Sequence, residues 1–231
     1  MRIHGLVVCV DYAAELAQSL PMWMHGLDSV VVVTTSKDKA TVEACDRWSA
    51  LPRAIVYQTD IFYASGASFN KGAAITEAVE AGLLNTDDWV LLFDADVVPP
   101  ADWKSIVQRV WLTEGHLYGA FRQDEKGKMI ADNLPAGFFM LFHGKDSQAR
   151  VKPFYDTHWL HAGAGDTFFM ERWPQISRHC LPLFLKHLGE PNKNWDGRNN
   201  PAKRSTAQIY AERSVKGFEA EMIAPEFRVK P

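Results

Sequence analysis

Trp89-Val90-Leu91-Leu92-Phe93-Asp94-Ala95-Asp96-Val97-Val98-Pro99-Pro100 is the stretch whose reading decides the fold. Five large apolar residues in a row read as a strand buried on both faces, and the acids that follow mark its carboxyl end. Open α/β sheets bind their ligands at that edge. Side chains two apart on extended backbone point the same way, so Asp94 and Asp96 address one point in space. Two carboxylates so close repel each other unless a cation lies between them. A divalent metal holding a phosphate or pyrophosphate meets that requirement; an acidic turn after a strand is the plainer alternative.

Working back toward the N-terminus, three further strand-like runs alternate with helical patterns. Residues 5–10 (GLVVCV) end at Asp11-Tyr12, residues 29–33 (SVVVV) end at Thr34-Thr35, and residues 54–57 form a third, short run. Between them lie a helical segment through Ala13, Leu16 and Ala17, which Pro21 is expected to kink or stop, and one over 37–48 with Ala40, Ala44 and Trp48 four apart. A third helical pattern covers 72–84. Strand–helix–strand at this spacing predicts a mostly parallel central sheet flanked by helices, with Asp11, Thr34, Thr35, Asp94 and Asp96 along one edge. That edge is the size of a nucleotide.

Toward the C-terminus the pattern predicts a helix over 102–112, strands over 116–121 and 137–142, a Gly163-Ala164-Gly165-Asp166 loop opening a helix, and an apolar run at 181–185 before His187. Residues 191–204 read as a loop and 206–214 as a terminal helix. The chain of 231 residues suits one α/β domain over 1–190, with 191–231 packed on it as a loop or lid and terminal helix. A net charge of −3 gives no general argument for nucleic-acid or membrane binding. Residues 191–231 nevertheless carry +3, which leaves −6 on the rest and makes a polyanionic acceptor such as modified nucleic acid worth testing. Cys9, Cys45 and Cys180 fit neither a disulfide framework nor a metal motif. With no apolar run long enough to cross a bilayer, the expected setting is cytoplasmic.

Four other places carry candidate chemistry. His187, at a strand end, reads on its own as a hydrogen-bonded structural histidine and, beside an acid pair holding a metal, as a third ligand whose imidazole favours Mn²⁺ over Mg²⁺. Asp166, closing the Gly163-Ala164-Gly165-Asp166 loop, serves either as a helix cap or as a general base toward an acceptor hydroxyl. Lys71 near a helix start suits a phosphate or plain solvation. Trp195 and Arg198 lie in a stretch that suits either a lid over a bound diphosphate or sugar or a disordered linker. Neither a Walker pattern nor a Gly-x-Gly-x-x-Gly pattern is present, so phosphate binding would rest on metal and side chains.

Taken in order, these residues resemble the GT-A (Rossmann-like) glycosyltransferases, in particular the family 2-like group. Val7 to Tyr12 looks like that fold's first strand, Asn70-Lys71-Gly72-Ala73-Ala74 like its Asn-x-Gly-x-Ala helix start, and Leu92 to Pro99 like its Asp-x-Asp signature. The resemblance implies a Mn²⁺- or Mg²⁺-dependent transfer from a nucleotide-diphosphate sugar, a UDP-sugar above all. Asp96 would ligate the metal, Asp94 would contact metal or ribose, and His187 would complete the site. Asp166 would be the base of an inverting reaction, and Asp11, Tyr12, Thr34 and Thr35 would lie near the nucleotide base. The match departs at Asp166, where the family usually carries adjacent acids and this chain has Gly165 and Thr167. Two other readings fit fewer residues. Asp94-Ala95-Asp96-Val97 also matches the nucleophile motif of haloacid dehalogenase-like phosphatases, although that motif ends the first strand of its core. A non-catalytic nucleotide-sugar-binding module is the other.

Overall fold

The computed structural model describes residues 1–49, 53–131, 137–162 and 165–189. The expected loop over 191–204, the terminal helix over 206–214 and the C-terminal lid lie outside the described residues. Strands β1 (Ile3–Val8), β2 (Ser29–Thr34), β3 (Ala54–Gln58) and β4 (Trp89–Asp94) form a parallel block in the order β3-β2-β1-β4. Helices α1 (Ala13–Met24), α2 (Lys39–Ser49) and α3 (Lys71–Glu80) fall between them in the chain. Successive strand side chains face opposite layers. Val7, Val32, Leu91 and Phe93 pack with Leu16, Leu20 and Trp23 of α1. Leu6, Val31, Val33, Val90 and Leu92 pack with Ala74, Ile75 and Ala78 of α3. Burial on both faces is why these runs carry no polar alternation, and each fully buried Leu or Val contributes about 1.5–3 kcal/mol.

Beyond β4 the sheet changes sense. It continues through β8 (Phe139–His143), antiparallel to β4, then β6 (Leu117–Gln123), β9 (Arg178–His187) and β5 (Val97–Val98), with β7 (Met129–Ala131) against β6. Helices α4 (Trp103–Arg109) and α5 (Gly165–Met170) complete the layers.

Five readings change. Pro21 lies inside α1, which runs on to Met24; burial of Leu20 and Trp23 outweighs the one missing N–H. Helix α3 stops at Glu80 and α4 at Arg109, each short of its apolar pattern. The run at 181–185 is the middle of a ten-residue strand whose Leu181, Leu183, Leu185 and His187 are buried while Pro182, Phe184 and Lys186 are exposed. Val97 and Val98 form a short strand that the following Pro-Pro pair conceals in the sequence.

Candidate active site

The Asp94-Ala95-Asp96 turn is pinned from three sides. Helix α1 holds it from beneath, where Ser19 Oγ donates to the Ala95 carbonyl at 2.6 Å and Trp23 Nε1 to that of Val97 at 2.8 Å. The Asp94 amide donates to Phe138 at 3.4 Å, and the Leu188 amide to the Asp96 carbonyl at 2.8 Å. With the backbone fixed, both carboxylates line a cleft whose other walls include Tyr12, Phe69, Lys71 and Asp166. Four elements distant in sequence thus meet at the carboxyl edge of the parallel block, where Val8 of β1 lies level with Asp94.

Asn70-Lys71-Gly72 explains itself residue by residue. Asn70 caps α3, accepting from the Ala73 amide at 2.8 Å, and its own amide donates to the Thr157 carbonyl at 2.8 Å. A Cβ on Gly72 would stand 1.7 Å from the Asp156 carbonyl oxygen, so only glycine lets the 155–157 segment approach the helix. Between them, Lys71 sends its ammonium into the cleft, 3.1 Å from Asp94 Oδ1 and 3.3 Å from Asp166 Oδ1.

This cation bridging two carboxylates sets the electrostatics. Burial disfavours the Lys71 charge, but Asp166 and Asp94 outweigh that and hold its pKa above the usual lysine value. Burial pushes the Asp94 carboxyl up to about 6; Lys71 opposes the shift, while Asp96 and Asp166 add to it. The hydroxyl of Tyr155, a residue with no signal in the sequence, also donates to Asp166 Oδ1. Burial and the Asp166 charge keep that hydroxyl protonated far above the usual tyrosine range.

No protein-family model and no curated protein sequence matches this chain. Solved structures do. The S. aureus TarS 1–349 structure in complex with UDP superposes with a TM-score of 0.56 at 11% identity, over 98% of this chain and 76% of that one. Glucosyl-3-phosphoglycerate synthase from Mycobacterium tuberculosis, in complex with phosphoglyceric acid, gives 0.56 at 12% identity, over 84% and 74%. The chain spans 60% and 46% of the length of two further S. aureus TarS structures. This is the GT-A fold.

The inositol-1-phosphate CTP transferase from T. maritima also superposes, with a TM-score of 0.51 at 8% identity, so nucleotidyltransferases share the architecture. Within this GT-A domain the candidate residues divide into groups. Asp94, Asp96, Lys71, Asp166 and Tyr12 line one cleft. His187 does not line the cleft; the β5–β9 pairing buries it beside Asp96, its Nε2 3.4 Å from Asp96 Oδ2 and its Nδ1 with no hydrogen-bond partner among the described residues.

Asp11 is exposed at a left-handed φ of 61°, with its amide donating to Asp38 Oδ2 at 2.7 Å. Thr34 is fully buried, and the Thr35 hydroxyl donates to Asp60 at 2.6 Å; neither threonine lines the cleft that holds the acids. Trp195, Arg198, Gly163 and Ala164 lie outside the described residues. Sequence reasoning passed over Asp38, Asp60, Tyr155 and Gly137, and of these only Asp38, just before a helix, had a local cue.

Asp96 and His187 suit a divalent cation. Two donors about 2.2 Å from a metal and roughly at right angles stand a little over 3 Å apart, as these do. Among the described residues no group of three or more histidine, cysteine or carboxylate side chains is placed to hold a metal, and Asp94 lies 3.1 Å from the Lys71 ammonium. Magnesium-like ions commonly complete such a site with water and substrate phosphate oxygens. No described helix is long and apolar enough to cross a membrane.

Proposed function

We propose that this chain is a glycosyltransferase that moves a sugar from a nucleotide-diphosphate sugar, a UDP-sugar first, to an acceptor hydroxyl, with Mn²⁺ or Mg²⁺ as cofactor. The observation that carries this reading is the convergence of Asp94, Asp96, Lys71 and Asp166 in one cleft at the strand edge of a GT-A domain. The S. aureus TarS structure in complex with UDP has the same fold, which supports a uridine nucleotide as donor. A nucleotidyltransferase on this fold would normally carry a glycine-rich loop after its first strand, where this chain has Cys9 to Ala14. A haloacid dehalogenase-like core would end its first strand at the nucleophile, whereas Asp94 ends β4.

In this reading Asp96 and His187 hold the cation, and Tyr12 and the Asp11 region lie where the nucleotide base would rest. Bound there, the metal would offset negative charge gathering on the departing diphosphate. Lys71 adds fixed positive charge between the donor and acceptor sides of the cleft. Asp166 accepts the proton of the acceptor hydroxyl as its oxygen attacks the anomeric carbon, and the bond to the diphosphate oxygen breaks, giving inversion.

A thermal-shift panel of nucleotide diphosphates and nucleotide sugars, with and without Mn²⁺, tests this. UDP with Mn²⁺ should raise the melting temperature of the wild type and leave Asp96→Asn unmoved. A wild type that responds to no nucleotide overturns the proposal.

A further inference from the structure

We infer that Tyr155 is a positioning residue for Asp166, fixing which of its two oxygens faces the acceptor. The inference rests on the glycosyltransferase reading and adds to it a residue from an irregular stretch of chain. Asp166 Oδ1 takes hydrogen bonds from both the Tyr155 hydroxyl and the Lys71 ammonium. Oδ2 has no hydrogen-bond donor among the described residues and lies against Gly137, where a Cβ would stand 1.8 Å from it. Oδ1 is therefore saturated by two donors while Oδ2 has none, and the Gly137 backbone closes against the carboxylate so that it cannot turn freely, the fixed orientation that a base needs.

The donor is itself held rigidly. Thr76 of α3 clamps the Tyr155 backbone twice, its Oγ1 accepting from the Tyr155 amide at 3.0 Å and donating to the carbonyl at 3.2 Å. The Tyr155 ring stacks on Phe169 of α5, with centroids 4.8 Å apart and planes 19° from parallel. Phe169 shares its helix with Asp166, and Thr76 shares its helix with Lys71. Both donors to Oδ1 thus come from one packed unit. With its pKa far above neutrality, the phenol stays protonated and can only donate toward the carboxylate. A buried tyrosine that had merely found a partner would need neither a second donor on the same oxygen nor a backbone clamped twice by Thr76.

The test is Tyr155→Phe, which keeps the ring stack and removes only the hydroxyl. The readout is UDP release from UDP-glucose, UDP-galactose and UDP-N-acetylglucosamine with Mn²⁺, water serving as acceptor. Turnover should fall about 10- to 100-fold, with the donor KM and the UDP thermal shift within about 2-fold of wild type. Thr76→Val, which loosens the clamp and keeps the phenol, should give a smaller loss of the same kind. Val30→Ala, a packing change in the other core layer near the start of β2, should lower the melting temperature and leave kcat in place. Equal kcat in wild type and Tyr155→Phe overturns the positioning role while leaving the glycosyltransferase reading intact. A wild type that neither binds UDP nor releases it from any donor overturns both.

Discussion

His187 Nε2 and Asp96 Oδ2 stand 3.4 Å apart because β9 pairs with β5 so that His187 lies opposite Val97. The contact joins residues 91 positions apart, and backbone register alone brings them together. If this pair is the protein's share of the metal site, Asp96→Asn and His187→Ala should each weaken Mn²⁺ binding at least about 100-fold, beyond the loss usual for outer partners of a metal. Asp94→Asn should keep most of that affinity, since Asp94 faces Lys71. Titration of Mn²⁺ in the presence of UDP, followed by calorimetry, checks both. Equal loss in all three variants would place Asp94 among the ligands.

Asp94 carries a second, separable prediction. Its folded pKa, about 6, lies above the ordinary 3.8, so between those values the folded state binds more protons than the unfolded one. Stability from this group is therefore greatest below pH 4 and is lost as pH rises through 6. Asp94→Asn removes an ionisation that the site disfavours, and should stabilise the protein at pH 7.5 by on the order of 1 kcal/mol, about 3 °C. The gain should vanish near pH 4, where the wild-type carboxyl is itself protonated. Activity should fall, because Lys71 loses one of its two anchors. Melting curves of the two proteins from pH 4 to 8 decide this.

The parallel half of the fold is legible because buried parallel strands write themselves as unbroken apolar runs, and 29–33 and 89–93 are such runs. The acid pair is legible for the same reason, since an apolar run ending in two carboxylates marks a strand edge. What joins the pair to the rest of the site is not. Lys71 and Asp166 are 95 residues apart, and nothing local to either names the other. Tyr155 sits in a stretch without period, where an aromatic between Phe154 and Asp156 reads as core. Strand β9 is obscured in the sequence, because Phe184 lies between Leu183 and Leu185 and hides the alternation that the structure shows in their burial. The run therefore reads as a short apolar stretch rather than a strand that continues to His187.

The thiols give a check on the core that is independent of catalysis. Burial pushes Cys9 up to about 12 and Cys45 up to about 11, so both remain neutral, unreactive thiols at pH 8. Cys180, on β9, is only half-buried. Labelling the native protein with an excess of maleimide or Ellman's reagent should modify Cys9 and Cys45 only after denaturant is added. Rapid modification of either in the native protein would contradict the packing of β1 against α2.

Gly137 offers the most economical test of the acceptor side. It precedes β8 and faces the Asp166 carboxylate so closely that a methyl group there would stand 1.8 Å from Oδ2 and 2.1 Å from Cγ. Alanine at this position must push the carboxylate aside and strain its bonds to Lys71 and Tyr155. Gly137→Ala should therefore lose at least about 100-fold in kcat, while Mn²⁺-dependent UDP binding through Asp96 and His187 stays within a few-fold of wild type. Gly82→Ala, at a turn where a Cβ meets nothing within 4 Å, controls for the loss of a glycine as such. At Gly82 the positive φ costs stability but leaves the Asp166 carboxylate where it was. If Gly137→Ala turns over like the wild type, Asp166 is not the group that meets the acceptor.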